Sequence, residues 1–104
     1  MLPQYLMVNE CLQLLKQSEI PSIKKLRIEI QLIQLKRLLL HEDHPDWCCN
    51  LDTLSDLLCD LRKIRAGGGG VDTVSDVMKR LGGIIDGFPM AGNMIRQPQF
   101  NITS

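Results

Sequence analysis

The 104-residue sequence has few aromatic side chains, no net charge and no long apolar run. Aromatic residues make up 4% of it, and twelve Lys and Arg residues are balanced by twelve Asp and Glu residues. A chain with zero net charge has no long-range field to gather phosphate groups, and isolated aromatic residues offer no stacking platform for bases. No apolar stretch approaches the roughly 20 residues of a membrane span. We therefore expect neither nucleic acid nor a membrane as a partner.

We also expect no secretion signal, and no recognisable catalytic motif is present. The polar residues Gln4, Asn9 and Glu10 interrupt the apolar stretch near Met1, where a signal peptide would need a clean apolar run. No Gly-rich phosphate loop follows a strand, and no nucleophile elbow is present. We expect a non-catalytic intracellular protein, cytoplasmic or nuclear, with reduced thiols and no cofactor.

One short segment contains residue types that could bind zinc. His41, His44, Cys48 and Cys49 lie within nine residues and carry the nitrogen and sulfur donors that zinc prefers. Adjacent cysteines can rarely both reach one metal, however, and Pro45 stiffens the loop between the histidines and the cysteines. Free thiols and no metal site are the favoured interpretation, and a small zinc-binding domain is kept as an alternative.

Four consecutive glycines divide the chain. Residues 67–70 separate a patterned segment, 1–66, from a second one, 71–104, and each segment carries equal numbers of basic and acidic side chains. Regular structure does not survive such a tract, which acts as a flexible linker. It is either a junction by which two polypeptides were joined by design or a native loop. Neither segment is a charged tail.

Apolar periodicity predicts three helices in the first segment, at about residues 3–17, 21–42 and 51–65. Pro3 and Pro21 suit the first turns of the first two helices, and Asn50 or Asp52 is expected to cap the third. An alternating strand over residues 28–32 is the competing interpretation of part of the second helix, but the helical pattern persists for about twenty residues.

The second predicted helix has two apolar faces. On a helical wheel, one arc contains Ile23, Leu26, Ile30, Ile33 and Leu40. The nearly opposite arc contains Ile28, Leu32, Leu35 and Leu39. A helix with two apolar faces needs cover on both. We expect the first and third helices to cover one face and part of the other, and a docked fourth helix to cover the remainder.

The second segment is predicted to contain that fourth helix. It begins near Val71, with Asp72 or Thr73 as its cap, and Gly82 and Gly83 weaken or end it. The pattern predicts that Asp76, Lys79 and Arg80 stay in water. From Gly87 onward the chain is expected to be an extended anchor with apolar side chains at Phe88, Met90, Ile95 and Phe100.

Together these features predict an all-α fold: a small three-helix bundle, a docked fourth helix and an extended C-terminal segment. The predicted function is a protein interaction module, adaptor or scaffold in which residues 1–66 bind the second segment through a hydrophobic groove. The alternative is a native single-chain helical subunit of a larger complex. The expected partner-binding residues are Val74, Met78, Leu81, Ile85 and Phe88 on the second segment, and Ile23, Leu26, Ile30 and Ile33 on the first.

Overall fold

The all-α prediction is confirmed. The computed structural model describes residues 2–41, 49–68 and 71–88, and these contain four helices and no strand. The helices are α1 (Pro3–Lys16), α2 (Ser22–His41), α3 (Leu51–Arg65) and α4 (Val71–Asp86). The alternative of a strand over residues 28–32 is wrong, because this segment lies within α2. Of the predicted C-terminal anchor, residues 89–104 lie outside the described residues.

Helix α1 has proline at its start and three side-chain hydrogen bonds near its end. Pro3 occupies the first turn, where a missing N–H costs no helical hydrogen bond. After the last turn, the Ser18 hydroxyl donates to the Leu14 carbonyl at 2.6 Å. The Lys25 ammonium group of α2 donates to the carbonyls of Lys16 and Ser18 at 3.3 and 3.0 Å. A cation at a helix C-terminus is favourable, so this contact also fixes the turn between α1 and α2.

Helix α3 has clear signals at both ends. The Asn50 side chain accepts a hydrogen bond from the Thr53 N–H at 2.8 Å, so Asn50 rather than Asp52 is the N-cap. At the other end, Gly67 adopts a φ of 83°. Its N–H donates to the Ile64 carbonyl, and the Gly68 N–H donates to the Lys63 carbonyl. This pair of bonds is a Schellman motif, which requires a left-handed residue and therefore favours glycine.

Helix α4 is longer than the sequence pattern suggested. It passes through Gly82 and Gly83 and ends at Asp86. Of the two expected effects of the glycines, to weaken the helix or to end it, the second is therefore wrong. Ile84 and Ile85 are both buried, and their packing outweighs the low helix propensity of glycine. The expected caps Asp72 and Thr73 lie inside the first turn, because the helix already begins at Val71.

The four helices pack around one apolar core. Helix α1 packs against α2 and α3, and α4 also packs against α2 and α3, so α2 and α3 lie diagonally across the bundle. The core contains buried side chains from all four helices. Its fully buried large members include Leu15, Ile28, Leu35, Leu57 and Leu81. Helices α1 and α4 both contact the inner side of α2, so the opposite face of α2 lies on the outside of the bundle.

Candidate protein-binding surface

The residues predicted to dock α4 lie at its interface with the other helices. Val74, Leu81, Ile85 and Phe88 are buried, and Met78 is half-buried against the core. The sequence pattern missed two further buried residues of α4, Val77 and Ile84. A helix with one helical neighbour needs only a narrow apolar stripe. Helix α4 contacts both α2 and α3 and therefore buries a wider face.

Polar contacts fix α4 on both of its neighbours. The Gln31 side-chain amide of α2 donates to the Met78 carbonyl at 3.3 Å. The Arg80 guanidinium donates to the Asp60 carboxylate of α3 at 3.0 Å. Arg80 was expected to remain in water, and that expectation is wrong because it lies at the α3 edge of α4. Asp76 and Lys79 are exposed as predicted.

The outer arc of α2 remains exposed within the described part of the chain. Ile23 is 71% exposed, Leu26 57%, Ile30 47%, Ile33 39% and Leu40 69%. The expectation that α4 would cover this arc is wrong. Helix α4 instead helps to bury the opposite arc, where Ile28, Leu32, Leu35 and Leu39 are all within 1% of complete burial. One four-helix core needs only one face of α2.

The exposed residues follow a coiled-coil spacing. Ile23, Leu26, Ile30, Ile33, Arg37 and Leu40 are separated alternately by three and four residues, which is the spacing of heptad positions a and d. We call these six residues the α2 seam. Ile23, Ile30 and Arg37 take the a positions. The seam runs about 26 Å along the helix, at 1.5 Å per residue. Exposed apolar surface of this extent and regularity is typical of a protein interface.

Charged side chains border the seam on its α1 side. Glu29 and Lys36 are half-buried there, next to an open groove of about 480 Å³ between α1 and α2. The Lys36 ammonium lies 5.1 Å from the centre of the Tyr5 ring, a cation–π contact that orients this side chain. Arg27 and His41 are exposed along the opposite border. The seam therefore has an apolar centre and a charged rim, which is the usual anatomy of an interface.

The residues that suggested zinc do not form a cluster in the described part of the chain. His41 is exposed and Cys49 is buried, whereas His44 and Cys48 lie outside the described residues. No group of three or more His, Cys, Asp or Glu side chains suited to a metal occurs within residues 2–41, 49–68 and 71–88.

Cys11 and Cys59 are free thiols, and of the three cysteines that the structure describes, Cys11 and Cys49 are buried whereas Cys59 is exposed. Burial raises the pKa of the Cys11 thiol from its ordinary 9.0 to about 12, and the neighbouring Glu10 carboxylate adds to the rise. A thiol held neutral in this way is a weak nucleophile, so we assign Cys11 a packing role in the core.

No helix within the described residues is both long and apolar enough to cross a membrane. Comparisons with protein-family models, with curated proteins and with solved structures find no match for this chain.

Proposed function

We propose that this protein is a non-catalytic interaction module, an adaptor or small subunit that binds another protein through the α2 seam. A helix that displays regularly spaced apolar side chains binds a second helix by burying them. The observation that carries the proposal is the exposure of five large apolar side chains in register along one helix whose opposite face is fully buried. We place the protein inside the cell, where its thiols would stay reduced.

The charge pattern supports a protein partner over other classes. The chain has no net charge, and basic and acidic side chains both occur beside the seam. A nucleic-acid site would carry an excess of positive charge. The groove beside the seam is open rather than enclosed, unlike the concave sites that bury small ligands.

The proposal is tested by recovering partners with the tagged full chain from the cells that produce it. The double variant Ile23→Glu/Leu26→Glu places charge on two adjacent seam residues, which are 71% and 57% exposed. The control Leu51→Glu places charge on an apolar residue of α3, which is 42% exposed and lies diagonally across the bundle. We expect the double variant to lose the recovered protein and the control to retain it. Equal recovery by both variants would refute the proposal.

A second candidate is a receptor with its own tethered ligand, in which 71–104 is the natural or designed partner of 1–66. The burial of Val74, Leu81 and Ile85 against the other helices supports it. Linkage by four glycines would hold such a ligand at about millimolar effective concentration. Cleavage within residues 67–70 followed by titration of the two pieces tests it. Reversible binding of the second piece to a folded first piece would support this candidate, and unfolding of residues 1–66 after cleavage would refute it.

A further inference from the structure

We propose that the partner of the α2 seam is the α2 seam of a second copy of this chain, paired in antiparallel orientation to form a two-fold symmetric dimer. This inference rests on the proposed function, because it names the occupant of the same surface. A two-fold interface requires a patch that is complementary to itself. Three features of the seam meet that requirement: the spacing of its apolar residues, the charges along its rim and the position of Arg37.

The apolar residues of the seam pair with one another when two copies of α2 run in opposite directions. When two copies of α2 run antiparallel, each a position faces a d position of the other copy. Ile30 then lies opposite Ile33 of the second copy at the centre, and Ile23 lies opposite Leu40 at both ends. The full length of both seams overlaps in this register, so no apolar seam residue is left unpaired.

The charged member of the seam selects the orientation. In a parallel pair, Arg37 would face Arg37 of the second copy, because a positions then face each other. Two like charges in direct opposition are unfavourable. In the antiparallel pair, Arg37 lies opposite Leu26, where its aliphatic stem can cover the leucine while the guanidinium reaches water. The parallel arrangement has no such solution.

The rim selects the same orientation. Glu29 and Lys36 both occupy the g position, next to an a residue and on the same border. Antiparallel helices bring g positions together, which places Glu29 beside Lys36 of the second copy twice in each dimer. Glu29 forms no ion pair within the described part of the chain. In a parallel pair, Glu29 would instead face Gln34, and Lys36 would face His41.

The size of the seam sets the expected affinity. A single helix face about 26 Å long offers less area than the roughly 800 Å² that each partner buries in a standard interface. We therefore expect a reversible dimer with a dissociation constant on the order of tens of micromolar. Sedimentation velocity of the full chain, from about 1 µM to about 500 µM, measures this directly.

The first test breaks the apolar centre. Ile30→Asp places a carboxylate opposite Ile33 in both halves of the dimer, and we expect dimerisation to weaken by at least about 100-fold. The control Leu51→Asp on α3 should dimerise like the unmodified chain. Ile30 is 47% exposed, so the monomer should remain folded. The melting temperature of each variant at low concentration checks this.

The second test uses charge reversal at Glu29 and Lys36 to determine the relative orientation of the two α2 helices. Glu29→Lys replaces two attractive pairs with two repulsive ones, and we expect about tenfold weaker dimerisation. The double variant Glu29→Lys/Lys36→Glu reverses both charges and should restore affinity to within about threefold. Restoration supports the antiparallel pair. Weakening without restoration would overturn it, because only that orientation places these residues side by side.

The outcomes separate this inference from the proposed function. A chain that stays monomeric at every concentration overturns the dimer, while loss of a recovered protein by Ile23→Glu/Leu26→Glu would still support a different protein as the partner. A seam substitution that unfolds the dilute monomer also overturns the dimer, since the chain itself would then cover the seam.

Discussion

Helix α4 continues through Gly82 and Gly83, and replacing Gly83 with alanine should therefore stabilise the protein. Glycine in a helix interior is about 0.8–1.0 kcal/mol less favourable than alanine. An added Cβ at Gly83 would have no atom within 4 Å, so no clash offsets this gain. We expect Gly83→Ala to raise the free energy of unfolding by about 1 kcal/mol, which corresponds to about 4–8 °C in melting temperature.

Replacing Gly82 with alanine should also stabilise the protein, provided that the new Cβ does not clash with the Gln31 side chain. A Cβ there would lie 3.9 Å from the Gln31 side-chain nitrogen, an ordinary van der Waals distance. Gly82→Ala should therefore stabilise by nearly the same amount, and the double variant by about 1.5–2 kcal/mol. Urea unfolding followed by far-ultraviolet circular dichroism measures each difference.

Gly67 provides the matched control. An added Cβ at this position would also meet open space, but its φ of 83° is strained for a residue with a side chain. Gly67→Ala should therefore destabilise the protein by about 1 kcal/mol, at a site where sterics alone predict no effect. If Gly83→Ala destabilised the protein as much as Gly67→Ala does, the helix would end at the two glycines and the structure of α4 would be refuted.

Three further predictions concern the core, a surface pair and a thiol. Leu81→Ala should destabilise by about 2–5 kcal/mol and speed amide exchange throughout α4; unchanged exchange would show that α4 is not held by the core. A double-mutant cycle of Arg80→Ala and Asp60→Ala should give a coupling of about 0.5 kcal/mol that falls with salt, and a coupling of zero would contradict the pairing. Because the pKa of Cys11 is raised, the unfolded thiol ionises from about pH 9 while the folded thiol stays neutral until about pH 12. Stability should therefore fall as the pH rises above about 9, by about 1.4 kcal/mol at pH 10, and Cys11→Ala should remove this component; equal pH dependence in both proteins would contradict it.

The bounds of the helices were largely predictable from local signals. Pro3, Asn50 and the glycine at position 67 act on their immediate neighbours, and the first three helices begin and end within one residue of the predicted positions. The end of α4 was not predictable in this way. Glycine propensity is a local property, whereas the burial of Ile84 and Ile85 depends on α2 and α3, which are distant in sequence.

The choice between the two faces of α2 was the other limit of sequence reasoning. Both arcs are rich in isoleucine and leucine, so hydrophobicity alone does not distinguish them. One signal was present: Arg37 falls on the outer arc, whereas the inner arc of Ile28, Leu32, Leu35 and Leu39 contains no charge. A charged residue at a seam position favours the face that remains accessible to water.

The exposure of the α2 seam is the central claim, and methyl NMR with a soluble paramagnetic agent tests it most directly. The measurement uses the full chain at about 10 µM, where the expected dimer is largely dissociated. We expect strong broadening of the Ile23, Leu26 and Ile30 methyl signals and little broadening of Ile28 and Leu32. At higher concentration, the seam signals should become protected as the second copy covers them. Protected Ile23, Leu26 and Ile30 methyls in the dilute monomer, with Ile28 and Leu32 broadened, would contradict the account, because α2 would then present its other face to water.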